Sequence, residues 1–434
     1  MVNGSFTPIW EIYGLRSNPF TVFPLSVYGG TLPIEKAFFG REDEIKRLMS
    51  YIMSGNSRSI VCGEPGVGKT SFVNYVRSNA MFQGKFFTNF KEIDVQPDWS
   101  KEEFLINSLV AIQTTIKLLD LTSKLGDTAR KLEALLTLID SNDRSFSISV
   151  AGTGVGGSST RTISQPQLTE TYLAQLFSET VKGILYAGYK GLILHYNNLS
   201  VNESEGFSER KIEIFFNNIR DILLTEDTHF IFVTDLNVPS VIESQPRVAS
   251  TLSGAPILID PLSKQKTAKV IHKRFEILAD KKLAFTPPVD DDAIGVLYDL
   301  YDGNIRYVLN SLSEALISVS AEEAPITLSA RKTVSLLRGI AQKRILDNLT
   351  NRERQVLMAM LSEPESTNKG LTDKLGLQNQ NVSTYLKKLF NRGCIYLHHT
   401  RSTSKYYRVT EYAKWLLLPP VKTEEGAEKL DKWF

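Results

Sequence analysis

Gly63-Glu-Pro-Gly-Val-Gly-Lys-Thr70 constrains this chain more than any other stretch, because it satisfies G-x-x-x-x-G-K-[ST] at every fixed position. Gly63, Gly66 and Gly68 let backbone N–H groups turn inward around phosphate oxygens, where a bulkier residue would block the approach. Glu64, Pro65 and Val67 fill the loop between them, Lys69 can reach the β- and γ-phosphates, and the Thr70 hydroxyl can ligate Mg²⁺. Ser59–Cys62 reads as a short buried strand leading in. Ser71 opens the run Ser71–Val76, part of a helix near Thr70–Asn79 whose positive end points at the ligand. The pattern predicts ATP and Mg²⁺ as cofactors.

The chain has 434 residues, 42% of them hydrophobic, enough for two to three domains with substantial cores. Cys62 and Cys394 are the only cysteines, which excludes a disulfide framework and a cysteine-based zinc site, and the five histidines are scattered. Met1–Phe6 lacks a basic start followed by an apolar run, and no segment approaches 18 uninterrupted apolar residues. A cytoplasmic protein without a membrane partner is expected.

Residues 1–40 are rich in Pro, Gly and aromatics, and a helical pattern then runs to about Ser54 with Ile45, Leu48, Met49 and Ile52 on one face. Strand candidates recur at Glu92–Val95, Gly191–Tyr196, His229–Thr234 and Pro256–Ile259, separated by helical stretches such as Glu102–Leu121 and Glu209–Leu224. Strands alternating with helices predict an α/β fold with a parallel sheet covered on both faces. Ser145–Gln167 passes from period-two alternation into a Gly/Ser/Thr tract and reads as a flexible hairpin or loop. After Pro261 the pattern is helical to about Asn348. Thr350-Asn-Arg-Glu353 then fits a helix capping box, opening a helix, helix, helix, hairpin, helix series that ends near Leu418. The expected partition is a nucleotide-binding domain over 1–260, a helical lid over 261–348, a third domain over 349–418 and a flexible tail over 419–434.

Asn18-Pro-Phe20, Phe39-Gly-Arg-Glu42, the phosphate loop and Gly303-Asn-Ile-Arg306 occur in the order found in AAA+ ATPases, and the chain from Asn18 to Leu418 resembles their initiator branch, the origin-recognition and helicase-loader type. The resemblance implies an AAA+ parallel sheet sandwiched by helices, followed by an all-helical lid. It implies that the segment with Phe39 and Gly40 holds adenine, and that Arg306 reaches the γ-phosphate from the lid. The family also expects an apolar strand ending in Asp-Glu. Here Gly191-Leu-Ile-Leu-His-Tyr-Asn197-Asn198 has the strand but amides in place of both carboxylates. Asn197 can still hold a metal-bound water through its carbonyl oxygen, whereas Asn198 orients an attacking water without negative charge. Glu203 and Glu205, a loop away, are the alternative acids. Thr234 or Asp235 falls at the polar sensor position, and Thr251 stands where a finger arginine is usual, with Arg247 four residues upstream as its alternative. Both departures predict slow turnover. His195, within the apolar strand, reads as a core histidine.

Ala341–Leu418 holds thirteen Lys/Arg against six Asp/Glu, so a chain of net charge +2 concentrates +7 here and leaves −5 elsewhere. This segment resembles the winged helix-turn-helix superfamily. Gly370–Leu377 reads as the first helix of the turn motif, broken by Gly376, and Asn379–Arg392 as the second, with Val382, Leu386, Leu389 and Phe390 buried. Gln378, Asn379, Gln380, Asn381, Ser383 and Thr384 lie at the start of that helix, where base edges are read, and Lys387, Lys388 and Arg392 suit phosphates. Cys394–Thr400 and Lys405–Val409 read as the hairpin wing, with Arg401, Lys405 and Arg408 near its tip. The partner expected is double-stranded DNA. As a whole the sequence points to an ATP-dependent switch that assembles on DNA, as a homo-oligomer or with AAA+ partner subunits, and recruits other proteins. A nucleotide-gated transcription regulator and an active remodelling ATPase are the competing readings.

Overall fold

A computed structural model describes residues 8–96, 98–141, 169–201, 208–319, 325–401 and 404–419. The Ser145–Gln167 insertion, Glu203, Glu205 and the tail beyond residue 419 lie outside the described residues. In chain order the elements are α1 (Ile9–Ile12), α2 (Ile34–Ala37), α3 (Glu42–Met53), β1 (Arg58–Cys62), α4 (Lys69–Phe82), β2 (Phe87–Thr88), β3 (Ile93–Asp94), α5 (Lys101–Leu118), α6 (Thr122–Ser141), α7 (Glu170–Tyr186), β4 (Leu192–Leu199), α8 (Glu209–Leu223), β5 (Thr228–Thr234), α9 (Val238–Glu243), α10 (Pro246–Ala249) and β6 (Ile257–Leu258). There follow α11 (Lys264–Leu278), α12 (Asp291–Leu300), α13 (Ile305–Ser318), α14 (Ala330–Arg344), α15 (Asn351–Leu361), β7 (Ser366–Thr367), α16 (Asn368–Leu375), α17 (Asn379–Asn391), β8 (Ile395–Arg401), β9 (Ser404–Val409) and α18 (Glu411–Lys414). Among the described residues, no helix is long and apolar enough to cross a membrane.

The chain divides at Pro24 and Pro261 into two compact units. In the first, Pro24–Asp260, the strand order is β2-β4-β5-β1-β6, all parallel, with β3 continuing β2 along the outer edge of β4. The strands are apolar almost without interruption because both faces are covered. Successive residues therefore point into different cores. Ile60, Leu194, Phe230 and Phe232 pack with Phe104, Leu109 and Phe216 of α5 and α8 on one face. Val61, Ile193, Ile231 and Val233 pack with Leu48, Phe72 and Val76 of α3 and α4 on the other. This is the expected sandwich. The helices α6 and α7, which the sequence reading did not place, close the first face through Leu132, Leu135 and Phe177.

The second unit joins the chain from Pro261 onward to the N-terminal residues through Phe23. Those residues were expected with the nucleotide-binding domain, and their contacts explain the difference. The Arg274 guanidinium donates to the carbonyls of Pro19 and Thr21, Phe20 meets Phe275 edge to face at 5.8 Å, and Leu15 bridges Ala279. An arginine this deeply buried needs such carbonyl acceptors, since burial alone already holds its pKa down at about 10. Beyond the bundle α11–α14, the order α15, β7, α16, α17, β8, β9 reproduces the predicted helix, helix, helix, hairpin series, with β7-β9-β8 as a small antiparallel sheet. Both hydrogen bonds of the Thr350/Glu353 capping box are made.

Candidate functional site

The phosphate loop leaves the C-terminal end of β1, a central strand flanked by β5 and β6, which is where open parallel sheets bind ligands. Gly63, Gly66 and Gly68 have φ of +157°, +91° and +96°. A Cβ on Gly63 would lie 2.5 Å from the Ile259 carbonyl oxygen, so no side chain fits there without moving backbone. The helix α4 starts directly from Gly68, an N-cap residue with no side chain to cap its first turn, and a helix start of this kind suits an anion. Lys69 Nζ donates to the carbonyls of Gly63 and Glu64, at 2.6 and 2.9 Å. Val67 is buried and its carbonyl accepts from Arg41 Nη2 at 2.8 Å, while Pro65 is exposed.

Arg41 is a site residue the sequence reading passed over. It sits left-handed at φ +68° after Gly40, itself at +83°, which turns the chain so that a buried guanidinium can brace the loop. Burial lowers its pKa, and Glu44 and Asp260 oppose that effect. Phe38, one residue before Phe39, stacks on Tyr75 of α4, at 4.3 Å. Ser71 Oγ accepts from Leu25 N–H, so this hydroxyl holds the N-terminal segment onto α4.

Across the loop, β4 delivers the two amides. Thr70 Oγ1 and Asn197 Oδ1 lie 3.5 Å apart, and that oxygen pair suits a hard cation. Asn198 is left-handed at φ +64°, within a register break between Tyr196 and Leu199, and its Nδ2 donates to Asp94 Oδ1 of β3 at 2.7 Å. Burial, then Glu92, raises the Asp94 pKa, and the hydrogen bond from Asn198 opposes this. Thr234 is buried at the end of β5, paired with Cys62, and its Oγ1 donates to the Asp235 carbonyl. The Asp235 carboxylate accepts from the N–H groups of Asn237, Val238 and Val201, so it fixes the turn into α9 and Thr234 is left as the polar group at that position. His195 is fully buried, and burial followed by Arg77 holds its pKa well below the usual imidazole value. A neutral histidine facing Arg77 Nη1 at 3.1 Å fits the expected core role.

In the second unit, Arg306 is exposed on the first turn of α13. That helix, with Tyr301 just after α12, holds the chain beyond the β8–β9 hairpin. Asn310 Nδ2 donates to Glu411 Oε2, the Tyr301 hydroxyl to the Glu411 carbonyl, and Trp415 Nε1 to Ser311 Oγ. Burial pushes Glu411 up to about 7, against the hydrogen bond from Asn310 and the charge of Arg306.

The helix α17 buries Val382, Leu386 and Leu389, and Asn379, Gln380, Asn381, Ser383 and Thr384, with Gln378 at its N-cap, are exposed. Phe390, expected in the core, is 48% exposed and lines a groove of about 660 Å³ between α17, α16 and the β8–β9 hairpin. Lys369, Lys387 and Lys405 reach this groove from three different elements, beside Asn379 and Ser383. The other basic residues are sorted elsewhere. Lys388 and Arg392 both pair with Glu353, at 3.4 Å each, because a buried carboxylate under α17 must be neutralised from that helix. Arg408 lies opposite Tyr396, away from the hairpin tip, and pairs with Glu365 at 3.6 Å. Arg401 closes β8 near the tip, but its side chain is outside the described residues.

No family model and no curated protein sequence matches the chain. Solved structures do. The Aeropyrum pernix ORC2 protein, in ADPNP–ADP complexes, is 14% identical, with 93% of this chain and 97% of that one covered at a TM-score of 0.46. The Aeropyrum pernix ORC1 protein in complex with DNA is 15% identical, with 90% and 96% covered at 0.42. A Thermotoga maritima RuvB variant is 14% identical, with 90% and 98% covered at 0.41. At these identities and scores the likeness carries no argument about ligand or activity, which rest on the geometry above.

Proposed function

We propose that this protein is an ATP-binding, DNA-binding switch of the AAA+ initiator kind, which hydrolyses ATP slowly and assembles on double-stranded DNA to recruit partners. The observation that carries the reading is the Gly63–Thr70 cradle: left-handed glycines, a position where a Cβ would meet backbone at 2.5 Å, and an uncapped helix start. Such a cradle suits phosphate oxygens and little else. In this reading Lys69 exchanges the carbonyls of Gly63 and Glu64 for phosphate oxygens, since an ammonium gains more from a charged acceptor. Thr70 and Asn197 would hold Mg²⁺, which when bound supplies charge neutralisation at the phosphates. In this reading Phe39 and Gly40 border the adenine, Thr234 orients polar groups at the γ-phosphate end, and Arg306 on α13 keeps the sensor role that the family resemblance implies.

The DNA side of the reading is supported by the groove of Lys369, Lys387 and Lys405 beside the polar start of α17. Lysines from three elements suit a phosphodiester strand, while exposed Asn, Gln, Ser and Thr suit base edges. Arg306 shares α13 with Asn310 and Ser311, whose hydrogen bonds hold Glu411 and Trp415 just beyond the wing. A change sensed by Arg306 therefore has a direct mechanical route to the DNA-facing module. The test is duplex-DNA binding and assembly state of the full chain with ATP, with ADP and without nucleotide. Nucleotide-dependent assembly on DNA supports the reading; a stable dimer on a palindrome favours the regulator, and rapid DNA-stimulated phosphate release favours the remodelling ATPase.

A further inference from the structure

The strand β4 ends in amides where hydrolysis calls for acids, and the structure brings an acid there from the neighbouring strand. In the parallel register Asp94 stands opposite Asn197. The left-handed turn at Asn198 breaks the pairing with β5, so Asn197 meets Thr70 while Asn198 meets Asp94 at 2.7 Å. Asp235, another acid at this end of the sheet, has its carboxylate engaged by three backbone N–H groups.

We infer that Asp94 is the displaced acid of the hydrolytic site and acts through Asn198, an inference that rests on the nucleotide-binding reading above. Its carboxylate claims Asn198 Nδ2, which leaves Oδ1 as the acceptor that receives a hydrogen bond from the attacking water. It also supplies the negative charge that β4 lacks, one residue removed in space. In the step served, the water oxygen forms a bond to the γ-phosphorus, and the bond from that phosphorus to the β–γ bridging oxygen breaks. Its electron pair leaves on ADP, and the water proton passes to a γ-phosphoryl oxygen. Asp94 is thus a positioning residue, and its charge stays in place throughout.

The pairing makes a swap test available in the full chain, with a fluorescent ATP analogue for binding and single-turnover phosphate release for chemistry. Asp94→Asn should slow release by about tenfold or more, at the low end of what misplacing a reactive water costs. Its nucleotide affinity should stay within about twofold of wild type, because only the chemical step uses the pair. The double variant D94N/N198D, which returns the acid to β4 beside an amide on β3, should recover at least the wild-type rate. A structural role for the pair would instead lower rate and nucleotide affinity together in Asp94→Asn, which the binding measurement reads. The inference is overturned if Asp94→Asn releases phosphate at the wild-type rate, if rate and affinity fall together, or if the swap binds ATP without recovery. It is equally overturned if the wild type binds ATP and releases no phosphate above the Lys69→Ala background. Failure of the wild type to bind ATP at all sinks instead the nucleotide-binding reading, and the binding measurement tells the two apart.

Discussion

The phosphate loop and the α17 groove both present positive potential to a phosphate, by opposite means. The loop uses backbone N–H groups, a helix start and one lysine in a cradle where a single Cβ at Gly63 would strike the Ile259 carbonyl. The groove uses three lysine side chains, one each from α16, α17 and β9, over a surface open to solvent. The first is rigid and close to all-or-none; the second is graded, salt-dependent and tolerant of individual losses. A nucleotide must be gripped in one geometry, whereas a duplex can be met in several registers.

Substitutions should break that contrast at different depths. Lys69→Ala should weaken ATP binding by about 100-fold or more, on the order of 3 kcal/mol, measured by calorimetry, with duplex-DNA binding in the absence of nucleotide unchanged. Glu353→Ala comes next. Burial raises this carboxyl, but the Thr350 N–H and hydroxyl, Lys388 and Arg392 outweigh it and the net shift is down. Its loss should cost about 3 kcal/mol of stability, since two cations and a helix cap lose their partner, as denaturant melts of the full chain would reveal. Because the native carboxyl is the stronger acid, this contribution is present above the ordinary value of 4.5 and fades as pH falls through the native value.

Glu411 behaves in the opposite sense. With its pKa raised to about 7 by burial, Glu411 is best tolerated in its neutral form below the ordinary 4.5, and burying its charge takes stability away as pH rises through 7. The stability of the helical unit should therefore fall on the order of 2 kcal/mol from about pH 5 to pH 8, a dependence that Glu411→Gln should flatten in thermal melts. The smallest effects belong to the groove. Lys387→Ala or Lys405→Ala should each weaken duplex binding several-fold, about 1 kcal/mol, and reduce the salt slope by about one. Lys388→Ala should leave the salt slope unchanged, because Lys388 serves Glu353.

The same contrast explains what could be read from the sequence. The loop is contiguous, and its glycine and lysine spacing expresses its geometry directly, so the turn through Gly63–Gly68 and the helix start at Lys69 are legible in the string alone. The alternation of apolar runs with helical stretches revealed the parallel sheet for the same local reason. Groups acting across strands were not legible. Asp94 belongs to a two-residue strand, and only the β3–β4 register brings it to Asn198. Arg41 stands within Phe39-Gly-Arg-Glu42 with no role attached to it, and only its left-handed backbone after Gly40 marks a constrained position. In α17 the 3.6-residue period identified the buried stripe, but Phe390 at its edge turned outward into the groove. Composition could not sort the basic residues either, because Lys388, Arg392 and Arg408 were claimed by Glu353 and Glu365 from elsewhere in the fold.

The central claim, that a nucleotide held at Gly63–Thr70 governs how the basic module meets DNA, is tested most directly by one titration. Duplex DNA is titrated with the full chain, wild type and Lys69→Ala, with and without a non-hydrolysable ATP analogue, while affinity and complex size are followed. The account predicts that the analogue changes the wild-type binding curve or the size of its complex and leaves those of Lys69→Ala unaltered. Superimposable wild-type curves and complexes at saturating analogue would contradict it.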